Sequence, residues 1–312
     1  MKPDQLLRPA PAGLYCPAGD FYIDPVRPVA RALITHGHSD HARAGHGAVL
    51  ATRETLDIME IRYGEDFCGT RQAAAFGERI DLAGVTVSFH PAGHVLGSAQ
   101  IAVEAVPCDV FITEATFGLP VFHHPEPKAE MGKLLTSLRQ FPERSHLLGA
   151  YSLGKAQRVI RLLRDCGYDA PVYIHGSLAR LCDYYVSRGI DLGDLRPATL
   201  EKGDPTDFRG AVIVGPPSAF ADRWARRFNE PLIAFASGWM MVRQRAKQGG
   251  VELPLVISDH CDWPELTETI RELAPREVWV THGREEALVR WCELAGVPAR
   301  PLHLVGYEDE GD

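Results

Sequence analysis

Apolar residues fall in short runs closed by polar or small residues, and several runs end on a residue able to carry chemistry. Ala32-Leu33-Ile34 predicts a strand, and Thr35-His36-Gly37-His38-Ser39-Asp40-His41 follows it directly. Phe21-Tyr22-Ile23 predicts a strand ending at Asp24. Residues 48–51 read as a strand and 52–63 as a helix. Residues 80–89 read as paired strands about Gly84, and 100–104 as a further strand. The run 110–113 delivers Glu114. Strands over 147–151, 172–174, 211–214 and 232–236 then alternate with helices over 154–166, 178–188 and 220–228, with Ser177 as the N-cap of the second. A strand over 255–258 ends at Asp259-His260, and Asp262 with Glu265 three residues on opens a helix as a capping box. Residues 278–281 deliver His282-Gly283, and a helix over 284–295 follows. Alternating strands and helices of this kind predict an α/β fold.

The device of a strand closed by His, Asp or Glu occurs at His36, Glu114, His260 and His282. The period of two along a strand puts His36 and His38 on one side as the chain leaves the sheet. Asp40 and His41 fall in the next turn and face a second point nearby. One segment can thus serve two metals roughly 3.5–4 Å apart, the separation used by two-metal hydrolases. The competing reading, a histidine-rich surface loop, fits poorly with four ligand-type residues behind an apolar strand. His94, among glycines in Ala92-Gly93-His94-Val95-Leu96-Gly97, is a candidate third ligand for the His36/His38 metal. Asp24 reads equally as a turn residue before Pro25 or as a carboxylate orienting a metal-bound histidine. The His175-Gly176-Ser177 junction reads equally as a phosphate cradle or an ordinary capped turn.

Composition is that of an ordinary soluble protein, with 45% hydrophobic and 24% charged residues in 312. That length suits two domains or one large one. A net charge of −8 argues against a protein that coats nucleic acid nonspecifically. It leaves a nuclease open, because bound cations invert the local charge. The basic stretches 223–227 and 243–247 read as solvated helix faces. Seven scattered cysteines without a Cys-x-x-Cys pair read as reduced thiols. No apolar run approaches a membrane span, and the first residues lack the apolar core of a signal peptide. The expectation is a cytoplasmic protein without a membrane partner. No linker separates domains, so a second domain is expected as an insertion within the first.

His36-Gly37-His38-Ser39-Asp40-His41 with Gly93-His94 resembles the metallo-β-lactamase fold. Thr113-Glu114-Ala115-Thr116-Phe117-Gly118, Ser258-Asp259-His260-Cys261-Asp262 and Thr281-His282-Gly283 resemble the further motifs of its β-CASP branch of nucleic-acid nucleases. Gly149-Ala150-Tyr151-Ser152-Leu153-Gly154-Lys155-Ala156-Gln157 and Gly215-Pro216-Pro217-Ser218 are most similar to bacterial ligase-associated DNA exonucleases. The resemblance implies a four-layer αβ/βα sandwich, residues 1–120 and 251–312, with an inserted α/β β-CASP domain, residues 121–250. It implies two divalent metal ions, zinc or manganese, the first held by His36, His38 and His94 and the second by Asp40, His41 and His282. It places Asp24 behind the ligands and Glu114 with His260 at the scissile phosphate. Ser152, Lys155, Ser177 and Ser237 are weaker candidates for contacts to neighbouring phosphates. DNA is the implied substrate, single-stranded or at duplex ends, with an ATP-dependent DNA ligase and a helicase as functional partners.

One implied feature is missing. The family carries a hairpin before the Glu114 strand, ending in a Gly-Asp whose carboxylate bridges the metals. Here Glu104-Ala105-Val106-Pro107-Cys108 passes almost directly to that strand. The segment is either deleted or missing from the recorded sequence. Omission is favoured, because deletion would remove a core strand and a ligand together. Alternatives to a DNA exonuclease are an RNA nuclease of the RNase J or mRNA 3′-end processing type, a small-molecule metallo-hydrolase, and an inactive nucleic-acid-binding subunit. The long insertion and the Glu114/His260 pair disfavour the small-molecule enzyme.

Overall fold

The computed structural model describes residues 6–104, 110–199, 208–228 and 230–303. The Glu104–Ala105 junction, where the bridging aspartate is expected, lies at the edge of the described residues, and the stretch beyond it lies outside them. The chain forms two compact units, Met1–His123 with His260–Gly311, and His124–Asp259.

In the first unit, β1 (Arg8–Ala10), β2 (Gly13–Cys16), β3 (Phe21–Ile23), β4 (Arg31–Leu33), β5 (His46–Thr52) and β6 (Cys68–Ala74) form one sheet in sequence order. Helix α1 (Arg53–Tyr63) connects β5 to β6, so that pair runs parallel, as a crossover connection requires. Strands β7 (Ile80–Leu82), β8 (Val85–Pro91) and β9 (Ala99–Glu104) make an antiparallel sheet. The β7–β8 turn uses Ala83 and Gly84 at φ 55° and 88°, the left-handed pair that matches strand twist in a two-residue hairpin. Alternation sorts the side chains. Phe21, Leu33 and Leu50 bury with Val87 and Phe89, while Ala32, Ile34, Val49 and Ala51 bury with Leu56 and Met59 of α1. Each large side chain so buried contributes about 1.5–3 kcal/mol. This packing fixes the end of β4, from which the histidine motif emerges.

After β10 (Val110–Ala115) the second unit begins. It contains α2 (Pro127–Gln140), β11 (His146–Gly149), α3 (Lys155–Asp165), β12 (Val172–Ile174), α4 (Ala179–Ser187), β13 (Leu195–Pro197), β14 (Val212–Gly215), β15 (Leu232–Ala236), α5 (Arg243–Gln248) and β16 (Leu253–Leu255). Its six strands are all parallel, in the order β13-β12-β14-β11-β15-β16. Strand β11 lies inside the sheet and is buried at all four positions, as expected of a parallel strand covered on both faces. The chain then returns to the first unit with α6 (Trp263–Leu273), β17 (Glu277–Gly283), α7 (Glu285–Leu294) and β18 (Ala299–Pro301). Strand β17 is central in the parallel sheet β10-β17-β18. Among the described residues no helix is long and apolar enough to cross a membrane.

The α/β alternation holds, with local corrections. The helix expected over 220–228 is two short 3-10 turns, Pro217–Ala221 and Ala225–Arg227, because Asp222 takes an extended backbone at φ −87° and ψ 172° between them. Trp224 also donates its Nε1–H to the Ala198 carbonyl, a tertiary bond that competes with helix continuation. The N-cap expected at Ser177 is His175, whose side chain accepts from the Ser177 N–H at the start of a 3-10 turn. The strand expected over 255–258 ends at Leu255, so irregular chain delivers His260.

His146 on β11 is fully buried and bonded at Nε2 to the Ser137 hydroxyl, 2.8 Å away. Burial lowers its pKa, so the folded state holds it neutral. Its stabilising contribution is complete above the unfolded histidine value of about 6.5 and is lost as pH falls below it toward the lowered folded value. Urea titrations at pH 7.5 and 5.5 are expected to show a smaller acid-side loss for the paired replacement Ser137→Ala/His146→Leu than for the wild type. The difference should be up to about 1.4 kcal/mol per pH unit.

Candidate metal centre

Asp24 closes β3 with φ 43°, a left-handed backbone uncommon for any residue but glycine. That turn aims its carboxylate at the chain leaving β4. Oδ1 accepts from the Thr35 N–H at 2.8 Å, and Oδ2 accepts from the Thr35 hydroxyl at 2.6 Å and binds His41 Nδ1 at 2.8 Å. Protons can be assigned from this set. A carboxylate only accepts, so the Thr35 hydroxyl spends its proton on Asp24 and accepts from His36 Nδ1, 2.9 Å away. His41 likewise donates from Nδ1. Both rings therefore carry Nδ1–H, leaving Nε2 as the atom of each ring available to a cation.

The remaining histidines converge on this pair. Ring centroids lie 5.0 Å apart for His36–His38, 4.7 Å for His36–His94 and 4.8 Å for His38–His94. His94 is placed by a tight loop in which the Ser98 hydroxyl accepts from the N–H groups of His94 and Val95, each at 3.1 Å. Among the described residues two donor sets have ligand atoms within 4.8 Å of one another: His36, His38 and His94, and His36, Asp40 and His41. His41 Nε2 is 3.3 Å from Asp40 and 3.4 Å from Glu114. His282, at φ 54° on the end of β17, lies beside His41 with ring centroids 5.7 Å apart. Its Nδ1 is 3.1 Å from the Thr281 hydroxyl.

The electrostatics fit a cation. Burial, followed by the neighbouring His41, His38, His94 and His260, holds His36 well below its ordinary pKa, so it presents the neutral ring a metal requires. Burial also lowers the pKa of His282. Burial opposes charge on Asp40, but the hydrogen bond and charge of His41, with His38, outweigh it and hold the carboxyl ionised well below the usual range. Burial likewise opposes charge on His41. Asp24, then Asp40 and Glu114, reverse the effect and pull a proton onto the ring. Three carboxylates around one imidazole thus form a local concentration of negative charge that a divalent ion satisfies better than one proton.

Glu114 stands between two histidines, 3.4 Å from His41 Nε2 and 3.7 Å from His260 Nδ1. It is nearer to His41 than to the His260 with which sequence paired it. Burial pushes its carboxyl up, but His41, His260, His282 and His94 bring it below its ordinary value. His260 has a second neighbour unread in the sequence, the Thr116 hydroxyl, 3.4 Å from Nδ1. It also packs on Phe117 and lies 4.6 Å from the His94 ring. Thr35 was likewise missed, although a signal existed. Thr-His steps occur at Thr35-His36 and Thr281-His282, and in each the threonine hydroxyl meets Nδ1 of the next residue.

The four weaker phosphate candidates belong to the second unit. Lys155 is only 5% exposed, and its ammonium is held by Asp259, 3.2 Å away, and by the Ile257 carbonyl. Arg158 also binds Asp259, at 3.2 Å, and the Ser258 carbonyl. Lys155 therefore serves a buried ion pair, and its depth withdraws it from an open phosphate contact. Ser237 is buried and caps a 3-10 turn by accepting from the Trp239 N–H. Ser177 is exposed, with its hydroxyl on His175. Ser152 is half-buried, and its carbonyl accepts from Gln157.

No protein-family model matches the chain. Its sequence is 27% identical over 317 residues to a probable DNA ligase of Opitutus terrae, covering 90% of this chain and 30% of that protein. It is 23% identical to the cleavage and polyadenylation specificity factor subunit 3 of Dictyostelium discoideum, covering 61% of this chain and 33% of that one. It is 24% identical to an RNase J-like protein of Methanocaldococcus jannaschii, covering 51% and 50%. The relatives support the β-CASP family. They do not single out a branch within it. The chain spans about a third of the length of the first two of these relatives. Two of the relatives are named an endoribonuclease and an RNase J-like protein, and the clustered His and Asp donors of this chain could hold a divalent ion.

Gly283, at φ 93°, follows His282, and a Cβ there would collide with the Ala115 carbonyl across the β10–β17 pair. Gly283→Ala is expected to lower stability by about 1–3 kcal/mol in urea unfolding, since strained backbone and displaced strand combine.

Proposed function

We propose that the chain is a metal-dependent phosphodiesterase that trims DNA from an end in DNA repair, as ligase-associated exonucleases do. The observation that carries this reading is the convergence of His36, His38, His94, Asp40 and His41 beside Glu114 and His260. Zinc or manganese, held by His36, His38 and His94 and by Asp40, His41 and His282, would supply an activated water and neutralise charge on the phosphate. Asp24 and Thr35 hold the ligand rings in the required tautomer. His260, beside Glu114, presents an imidazole that protonates the leaving oxygen or binds the phosphate. In this reading the first unit is the metallo-β-lactamase sandwich and the second its β-CASP insertion, with the boundary expected at 250 moved to 259 because β16 pairs with β15 in the second unit's sheet. The family's bridging carboxylate has no counterpart assigned in this chain, which passes from Glu104 almost directly to the Glu114 strand.

DNA is favoured because the match covering most of this chain falls on about a third of a protein named as a DNA ligase. A trimming activity carried beside a joining activity suits the preparation of ends. A ligase and a helicase are the partners this reading expects. The second reading, an RNA nuclease, draws on relatives named endoribonuclease and RNase J-like.

End-labelled single- and double-stranded DNA and matched RNA, offered with zinc or manganese, distinguish the two. Stepwise shortening of DNA is expected, and cutting of RNA alone would replace the DNA reading. Asp40→Ala and His282→Ala are each expected to abolish cleavage and lower bound metal, measured by elemental analysis. His260→Ala should lose cleavage, by on the order of a hundredfold or more, while keeping its metal. Full activity in Asp40→Ala or His282→Ala would remove the two-metal assignment.

A further inference from the structure

Two loops carry the first donor set, one between β4 and β5 with His36 and His38, and one between β8 and β9 with His94. Both are tied to the same helix at opposite ends. At the N-terminal end of α1, the hydroxyls of Thr52 and Thr55 reach the Gly97 carbonyl, at 2.6 and 3.2 Å. Both threonines are buried. Gly97 sits at φ 78°, and a Cβ there would collide with the Glu54 side chain, so the His94 loop lies directly on the first turn of α1. In the last turn, Arg62 Nη1 donates to the carbonyl of Gly37, the residue between His36 and His38, at 2.6 Å. An arginine in a final helical turn ordinarily answers the helix's own carbonyl ends. This one reaches out to the ligand loop instead.

We propose that α1 is a strut that sets the spacing of the His36/His38/His94 donors, with Thr55 and Arg62 as positioning residues for a divalent cation. The proposal rests on the metal reading given above. Eleven residues of helix span about 16 Å, and the donors meet within 4.8 Å. Leu56, Ile58 and Met59 bury the helix, so its two ends cannot move independently. Each anchor grips a backbone carbonyl within a ligand loop, so loosening either shifts a ligand without removing a donor atom. The Ala99 N–H to Thr35 carbonyl bond, 2.9 Å, joins the two loops directly and leaves α1 to fix their outer ends.

The test compares wild type, Thr55→Val and Arg62→Met with the controls Thr55→Ser and Arg62→Lys, using the full chain and zinc. Zinc affinity is measured by competition with a chromophoric chelator, and urea unfolding is followed with and without zinc. Thr55→Val and Arg62→Met are expected to lose about tenfold or more in affinity, as removal of supports behind ligands does. The controls should recover most of that loss. The zinc-induced gain in stability should shrink in the two variants by more than any change in the metal-free protein. A role confined to helix stability would lower metal-free stability and leave affinity unchanged. That result, or unchanged affinity in both variants, overturns the proposal. A wild type that binds no divalent ion overturns the metal reading and this proposal together, and the two failures are told apart by the wild-type titration alone.

Discussion

The Asp24 carboxylate is the constraint on which the candidate site depends. It is buried, and three hydrogen bonds converge on it from two residues, Thr35 and His41. Its two oxygens accept all three, so each partner must present a proton to it. Its effect is passed outward. It pins the His41 ring directly and the His36 ring through the Thr35 hydroxyl, so one group determines the tautomer of two ligands. Without it the rings could turn, and a neutral imidazole facing the wrong way offers N–H where a lone pair is needed. Asp24 also links the two parts of the chain that must agree, the end of β3 and the end of β4, through its own N–H on the Leu33 carbonyl.

Much of this was legible because strands ending on chemistry-bearing residues are visible as apolar runs followed by His, Asp or Glu. The runs before Asp24, His36, Glu114 and His282 are strands in the structure. The Asp262/Glu265 capping box forms as its spacing requires, because both of its bonds are local. Local spacing said nothing about which neighbours meet. Glu114, His41 and His260 are far apart in sequence, and only the folded chain puts the carboxylate 3.4 Å from His41 and 3.7 Å from His260. Lys155 followed the same logic. The sequence offers it as a weaker candidate for a phosphate contact, whereas the fold supplies a buried partner, Asp259, distant in sequence.

The elements not read have physical reasons as well. Strand β6 exposes five consecutive residues, so it has no apolar alternation to betray it. It is held by backbone pairing with β5, which sequence does not display. Helix α2 carried a signal, with Pro127 in its first turn and Met131, Leu134 and Ser137 on one buried face. The segment over 220–228 shows the opposite error. Its aromatic spacing suited a helix, but Phe220, Trp224 and Phe228 pack into the core of a sheet from two short turns, so the apolar pattern served tertiary packing.

Two of the residues that build the site, Asp24 and His282, hold positive φ without being glycine. Such a backbone costs on the order of 1–3 kcal/mol and persists only where the surroundings over-determine it. Both are over-determined by sheet. Asp24 follows β3 and is bound to β4, and His282 sits at the end of β17, where the β10–β17 register slips between Glu114 and Ala115. Glu114 pairs with Thr281 and Ala115 with Gly283, so the register passes over His282. The irregularity that turns His282 toward His41 therefore falls directly after Glu114, which keeps its place on the ladder. A regular ladder would satisfy more backbone and would not turn the His282 side chain out. The strain is local, and it lies where β10 and β17 change from packing a core to presenting side chains.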